Sequence, residues 1–240
     1  MRWQRRIALV VGVGAVLSAA SITLPVGADV TEVGQGAASV LINVDVENVG
    51  PIETVVTPVN LPSTGGGPFT DSLASFSEPA IFLEAEALAT STEGGNLGTH
   101  QGFAVSSAEL EEFVLDEIVG AAAVRSECRA NGDGTTGSTT LTGGVVNVGG
   151  AVTPILGSPA PNTQFAVTDG ITVTVNEQIV THVSGALAQI VVNAIHVRYE
   201  EGNATGIVGD VWIAQSICRA AGPDVLVVPD AVVVTPSFTG

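Results

Sequence analysis

Apolar and polar residues alternate along much of this chain with the period of two that is typical of half-buried β-strands. A mixed apolar run also covers residues 79–89, and a last apolar run covers residues 225–234. Clusters rich in Gly, Pro, Asn and Asp separate these segments, as turns would. We therefore predict an all-β fold, a single β-sandwich or barrel-like domain of about ten strands. The clearest alternating segments are 42–47, 122–129, 171–175, 186–199 and 211–217.

Residues 106–118 depart from this pattern. Ser106 and Glu109 fit a capping box, and Leu110, Phe113 and Ile118 fit one face of a helix. The segment is equally compatible with a pair of strands, so we expect either a short helix or two strands there.

The first 28 residues have the features of a secretory signal peptide. Residues 1–6 carry three arginines, an apolar run covers residues 7–20, and Val26 and Ala28 are small residues at the spacing that signal peptidase requires. We predict cleavage after Ala28, with Ala20 as the second choice. The mature protein would then be residues 29–240, one secreted extracellular domain without a transmembrane anchor. The alternative is an uncleaved N-terminal anchor, for which the apolar run is short.

The charge of the chain limits its partners. Four arginines and 24 acids follow residue 28, and there is no lysine, so cleavage would leave a formal charge of −20. Such a charge repels nucleic acid and anionic lipid and keeps a secreted protein soluble. We expect no nucleic-acid partner, and an extracellular ligand or cell-envelope component as the partner.

The chain has two cysteines, Cys128 and Cys218. In an exported protein an even number of cysteines predicts a disulfide, and two separately buried thiols are the alternative. The two cysteines lie in similar segments, 126–132 and 216–222, each near the end of a predicted strand and before a glycine turn. We therefore expect the two strand ends side by side, joined by a cross-strand disulfide.

Two motif matches are interpreted as turns. Residues 132–137 match G-x-G-x-x-G, but strand-forming threonines follow where a dinucleotide site would need a helix, so we predict a hairpin turn. Residues 61–65 match the L-P-x-T-G sorting signal, which acts near the C-terminus before an apolar stretch and a basic tail. Here the match is internal, and we predict a loop.

The histidines are the first candidates for chemistry. His182 and His196 lie on neighbouring predicted strands, and with an acid such as Glu177 they would have suitable ligand types for a metal. We favour the simpler interpretation that these two residues and His100 are structural or surface histidines. We predict no cofactor and no metal ligand.

Acidic pairs are the second candidates. Such pairs serve acid–base chemistry or bind Ca²⁺ in other proteins, but they arise readily in a chain with 24 acids. We therefore expect solvated faces and assign no catalytic residue. Residues 203–205 form an N-glycosylation sequon, which matters only in a source that glycosylates its secreted proteins. The acidic pairs are Asp45/Glu47, Glu84/Glu86 and Glu111/Glu112.

Five short segments carry a resemblance to known proteins: 126–130, 137–140, 176–178, 192–197 and 209–211, the last leading to Cys218. They resemble the choice-of-anchor P family of secreted actinobacterial proteins. The resemblance covers roughly residues 34–218 and implies an exported domain, with no activity and no catalytic residue to carry over. This sequence has no C-terminal wall anchor, so we expect release or non-covalent association with the surface rather than covalent attachment.

Three functions are compatible with this sequence. The first is a non-enzymatic structural or adhesive binding protein of the cell exterior. The second is a secreted polysaccharide hydrolase that uses a carboxylate pair, which predicts two carboxylates across a cleft about 5–10 Å apart. The third is a Ca²⁺-binding extracellular module, which predicts several acids on one loop.

Overall fold

The computed structural model describes residues 29–155, 157–183 and 187–222, which form two antiparallel sheets packed face to face. The predicted all-β sandwich is confirmed, with fourteen strands in these residues rather than about ten. The predicted signal peptide and the apolar run 225–234 lie outside the described residues. Sheet I contains β1 (Glu32–Val46), β2 (Gly50–Val56), β3 (Val59–Leu61), β11 (Thr163–Thr168), β12 (Ile171–Val183), β13 (Leu187–Tyr199) and β14 (Ile207–Ala221). Sheet II contains β4 (Gly66–Glu78), β5 (Leu83–Gly95), β6 (Phe103–Leu115), β7 (Val119–Asn131), β8 (Gly134–Thr142), β9 (Gly144–Val148) and β10 (Ala151–Ile155).

The order of the strands follows two antiparallel meanders. In sheet I the order is β11-β12-β13-β14-β1-β2, with β3 also paired to β1. In sheet II the order is β10-β9-β7-β6-β5-β4, with β8 also paired to β7. A short 3₁₀ turn, Pro79–Ile81, joins β4 to β5. Among the described residues no helix is long and apolar enough to cross a bilayer.

Two apolar clusters fill the space between the sheets. The larger cluster includes Leu110 and Phe113 of sheet II and Ile195 and Ile213 of sheet I, all at most 1% exposed. The smaller cluster surrounds the two cysteines and includes Val33, Ile190 and Val192. The buried positions alternate along most strands, as the sequence pattern predicts.

The segment 106–118 forms strand rather than helix, so the helical alternative is wrong. It belongs to β6, the turn after it and the connection to β7. Glu112 has a left-handed backbone (φ 45°), and the burial pattern shifts by one residue there. Leu110 and Phe113 both face the core while Glu111 and Glu112 face solvent. This shift creates the three-residue spacing that imitates one face of a helix.

The same backbone feature recurs across both sheets. Asn176 and Ala214 in sheet I and Ala87 in sheet II also have φ near +50° without being glycine, and so does Thr57 between β2 and β3. By register, Ala214 lies opposite Ser39 on one side and Ala194 on the other. Each sheet therefore carries a transverse line at which the alternation of buried and exposed positions changes phase.

A disulfide joins Cys128 of β7 to Cys218 of β14, with the two Cα atoms 5.8 Å apart. The prediction of a disulfide is confirmed. The predicted side-by-side arrangement is wrong, because β7 and β14 belong to different sheets and the bridge crosses the core. The similar segments around the cysteines occupy the fourth strand of each meander, β4–β7 and β11–β14.

Polar side chains also connect the two sheets inside the sandwich. Ser106 Oγ of β6 donates to the Gly36 carbonyl of β1 at 2.9 Å, and Gln178 Nε2 of β12 donates to the Gly137 carbonyl of β8 at 3.0 Å. Thr90 Oγ1 of β5 donates to the Thr57 carbonyl at 2.8 Å. Buried backbone and hydroxyl groups are costly without partners, so these bonds help to fix how the sheets pack.

Both motif matches form turns, as predicted. Gly132 and Asp133 make the two-residue turn between β7 and β8, where Asn131 pairs with Gly134. In the second match Leu61 is buried at the end of β3, and Gly65 N donates to the Pro62 carbonyl at 2.9 Å. A buried leucine is not available to a sorting enzyme in this fold.

We expect Gly137→Ala to lower the free energy of unfolding by about 1–3 kcal/mol. The added methyl group has no space, so the neighbouring side chains or the backbone must shift and become strained. A Cβ at Gly137 would overlap Val192 Cγ2 and lie 2.9 Å from Ile190 Cδ1. Urea unfolding gives the measurement. Gly95→Ala is the matched control, since its Cβ would meet the Phe103 ring at an ordinary 3.5 Å. Equal stability of the two variants would contradict the close packing of β8 on β13.

Candidate functional site

A cluster of polar side chains lies on the outer face of sheet I, the face turned away from sheet II. His196 of β13 is at its centre, between Ile195 and Val197, whose side chains face the core and are fully buried. An alternating strand directs every second side chain outward, so His196 faces away from the core. We call the following residues the His196 cluster: Glu177, Asn193, His196, Asp210, Trp212 and Gln215.

His196 is bound on both sides by carboxylates from the two neighbouring strands. Its Nδ1 lies 3.0 Å from Glu177 Oε1 of β12, and its Nε2 lies 2.8 Å from Asp210 Oδ1 of β14. The side chains of His196, Glu177 and Asp210 are 13%, 17% and 27% exposed. Because a carboxylate only accepts, both contacts are best satisfied by a protonated imidazole that donates from each nitrogen.

The pKa values follow from this geometry. Burial alone would lower the pKa of His196, but the hydrogen bonds to Asp210 and Glu177 and the charges of both acids outweigh it and raise the pKa to about 9. Burial acts to raise the pKa of Glu177, yet the hydrogen bond and charge of His196, with a further bond from Asn193, lower it. At neutral pH the cluster is therefore an imidazolium ion between two carboxylates.

Amide side chains extend the network along the sheet. Asn193 Nδ2 donates to Glu177 Oε2 at 2.6 Å, and Gln215 Nε2 donates to Asn193 Oδ1 at 2.8 Å. Trp212 stacks on the His196 ring with centroids 5.2 Å apart and planes 21° apart. The orientation of Glu177 and His196 is thus fixed from several directions, with both oxygens of Glu177 occupied.

The cluster brings together segments that are far apart in the sequence. Glu177 lies on β12, His196 on β13 and Asp210 on β14. The register of β12, β13 and β14 makes them neighbours. Of these residues, sequence reasoning considered His196 and Glu177 as candidates, but it missed the participation of Asp210, Asn193, Trp212 and Gln215. The outward phase of the alternation in β14 was the available signal for Asp210 and Trp212, whereas the change of phase within β13 and β14 hid Asn193 and Gln215.

The two histidines weighed as metal ligands lie far apart. His196 is opposite Thr174 of β12, and His182 is eight residues further along the same strand, which is about 27 Å. Glu177 binds His196 through a hydrogen bond instead. In the residues that the structure describes, no group of three or more His, Cys, Asp or Glu side chains is placed to hold a metal ion.

The acidic pairs considered in the sequence all lie on the surface. Glu84, Glu86, Glu111 and Glu112 are exposed residues of β5 and β6. Glu86 is the register partner of Glu111, so two acids stand side by side on one sheet face rather than across a cleft. Asp45 is exposed near the end of β1, and Glu47 is exposed at the turn that follows.

His100 and the sequon lie in loops. His100 Nε2 is 2.9 Å from Asp133 Oδ1 at the β7–β8 turn, with 39% of the His100 side chain exposed. In the sequon, Asn203 Nδ2 donates to the Ile207 carbonyl at 2.6 Å, and Asn203 Oδ1 accepts from Thr205 N at 2.9 Å. The Asn203 amide therefore holds the β13–β14 loop in shape.

Comparison of the chain with family models, with curated proteins and with solved structures finds no match in any of the three.

Proposed function

We propose that this chain is an exported, non-enzymatic binding or adhesive domain of the cell exterior, released or held non-covalently at the surface. The state of the His196 cluster is the observation that carries this proposal. Its titratable groups are engaged with one another, and they present a fixed polar surface on an open sheet face. Such a preorganised surface suits recognition because little side-chain freedom is lost on binding.

The same geometry argues against use of the cluster in hydrolysis. An inverting or retaining glycosidase needs a protonated carboxylic acid and space for the sugar between its two carboxyl groups. Here the His196 ring stands between Glu177 and Asp210, and hydrogen bonds keep the pKa of Glu177 low. A Ca²⁺ site would need several oxygen ligands directed at one point, whereas these two acids bind opposite sides of an imidazole.

Export is supported by the disulfide. Disulfides such as Cys128–Cys218 persist in oxidising compartments outside the cytoplasm, which agrees with a signal peptide over residues 1–28. Membership of the choice-of-anchor P family remains part of the proposal. It rests on five short segments of the sequence, of which 176–178, 192–197 and 209–211 supply residues of the His196 cluster.

A cell-fractionation experiment tests the proposal. We expect to find the protein in the medium or in a salt wash of the envelope. Its measured mass should correspond to a chain that begins at Asp29, and it should contain no free thiol. We also expect the purified protein to adsorb to isolated envelope material and to leave its polysaccharides undegraded.

Each part of the proposal has its own contrary result. A retained N-terminus of residues 1–28 would contradict the predicted cleavage. Failure to adsorb to envelope material or extracellular matrix proteins would contradict the adhesive role. Release of sugars by the wild-type protein, but not by a Glu177→Gln variant, would favour the hydrolase instead.

A further inference from the structure

A row of four side chains, three of them apolar, crosses the outer face of sheet I and shares two residues with the His196 cluster. The strand register places Trp212 opposite His196 on one side and Leu41 on the other, and Leu41 opposite Val55. We call His196, Trp212, Leu41 and Val55 the Trp212 row. The row spans four strands, β13, β14, β1 and β2, which is about 14 Å at the usual spacing of neighbouring strands.

Hydrogen-bonding side chains border the row on both sides. On one side Asn43 is opposite Asp210 and Glu53, and Asp210 is in turn opposite Arg198. His196 is hydrogen-bonded to Oδ1 of Asp210, so Oδ2 of Asp210 can accept a hydrogen bond from a ligand. On the other side Gln215 is bonded to Asn193, and of these two amides only Gln215 is partly exposed, since Asn193 is buried. Apolar side chains between polar borders suit a sugar chain, which has C–H faces and hydroxyl edges.

The charge of this face limits the classes of ligand that can bind to it. Glu53, Glu177 and Asp210 are acids, Arg198 and protonated His196 are the cations beside them, and the whole chain has a formal charge of −17. An acidic polysaccharide or an anionic lipid surface would be repelled. A protein interface usually excludes charged residues from its centre, whereas charged and amide groups here lie directly against the row. Carboxylates, in contrast, readily accept hydrogen bonds from neutral hydroxyl groups.

We infer that the Trp212 row binds a chain of a neutral polysaccharide, with Trp212 and Leu41 under the sugar faces and Asp210 and Asn43 bonded to hydroxyl groups. This inference rests on the proposed binding function and names its ligand class and its site.

Affinity electrophoresis of the secreted protein tests the inference. Soluble arabinogalactan, mannan or mixed-linkage β-glucan is cast in a native gel, and polygalacturonate serves as the acidic polysaccharide. We expect retardation by at least one neutral polysaccharide and none by polygalacturonate. Trp212 is the only tryptophan after residue 28, so its fluorescence should change on titration with the same polysaccharide.

Two variants locate the site. Trp212→Ala removes the aromatic side chain. We expect the affinity for the neutral polysaccharide to fall about tenfold or more, as for the loss of a central aromatic contact. Val55→Asp places a charge in the row at a residue that is 49% exposed, so the fold should tolerate it. Val152→Asp is the matched control, because Val152 is 70% exposed on β10 of sheet II. Circular dichroism and the presence of the disulfide verify folding.

The outcomes separate the inference from the proposed function. Loss of retardation in Trp212→Ala and Val55→Asp, but not in Val152→Asp, supports the inference. Unchanged binding by the first two variants overturns the assigned site. Adsorption of the wild type to envelope material without binding to any neutral polysaccharide overturns the ligand class and leaves the proposed function standing. Absence of both kinds of binding overturns the two together.

Discussion

Replacement of Cys128 and Cys218 together by alanine is expected to lower the free energy of unfolding by about 4–5 kcal/mol. The disulfide closes a loop of 90 residues and joins the two sheets across the core, so its loss restores much freedom to the unfolded chain. Natural domains are stable by about 5–15 kcal/mol, so this loss would remove between about a third and nearly all of the stability. Urea unfolding at neutral pH measures the difference.

The control must separate the cross-link from the packing of the side chains. Cys128 and Cys218 are 3% and 0% exposed, and alanine fills less space than cysteine. The wild type with its disulfide reduced keeps both sulfur atoms and should lose most of the same stability. If the reduced protein unfolds at the urea concentration of the oxidised protein, the bridge contributes little and the fold is held by its apolar clusters.

The sequence predicted the strands for a clear physical reason. A strand between a core and solvent must alternate. Residues 171–173 do so, because Ile171 and Val173 face the core while Thr172 faces outward, and residues 211–213 do so until Ala214 changes the phase of β14. The strands that sequence reasoning missed, such as β4 and β10, lie at the edges of sheet II. Most of their residues are exposed, so their sequences need no alternation.

Two features of the fold were beyond local pattern. The left-handed residue Glu112 changes the phase of β6, and a phase change within a strand resembles the three-residue spacing of a helix. The local sequence pattern also does not show which strands belong to the same sheet. The similar segments around Cys128 and Cys218 indicated equivalent strands, but only the tertiary fold places those strands in opposite sheets.

The candidate site could be predicted only from the register in which β12, β13 and β14 pair. His196 and Glu177 were noticed as titratable residues, but their contact depends on how β12 pairs with β13, and the contact of His196 with Asp210 depends on how β13 pairs with β14. A slip of one residue in either pairing would move an entire set of side chains to the other face. Sequence alone did not fix these pairings, so it did not reveal the cluster.

We expect His196→Ala to destabilise the protein by about 2–4 kcal/mol at pH 6. Removing one partner from a buried ion pair costs about 3–5 kcal/mol, and the partial exposure of Asp210 reduces this cost. The variant leaves Glu177 and Asp210 as two partly buried carboxylates without a cation between them. The comparison residue is His100, whose exposed pairing with Asp133 is worth at most about 1 kcal/mol.

The pH dependence of stability distinguishes loss of the charge from loss of packing. The pKa of His196 is raised from 6.5 to about 9, so its contribution is fully present below pH 6.5 and is lost as the pH rises through 9. The pKa of Glu177 is lowered, so its contribution is present above pH 4.5 and is lost on acidification below that value. The cluster therefore stabilises the fold most between pH 4.5 and 6.5.

Wild-type protein should lose up to about 3 kcal/mol of this contribution between pH 6.5 and 9, at about 1.4 kcal/mol for each pKa unit. His196→Ala should show no such loss over this interval, and the two stability curves should converge at high pH. The NMR titration of the His196 ring should give a midpoint near pH 9. A midpoint near 6.5 would mean that the two carboxylates do not hold the proton, and the ring would then be mostly neutral at neutral pH, contrary to the imidazolium ion described for the His196 cluster.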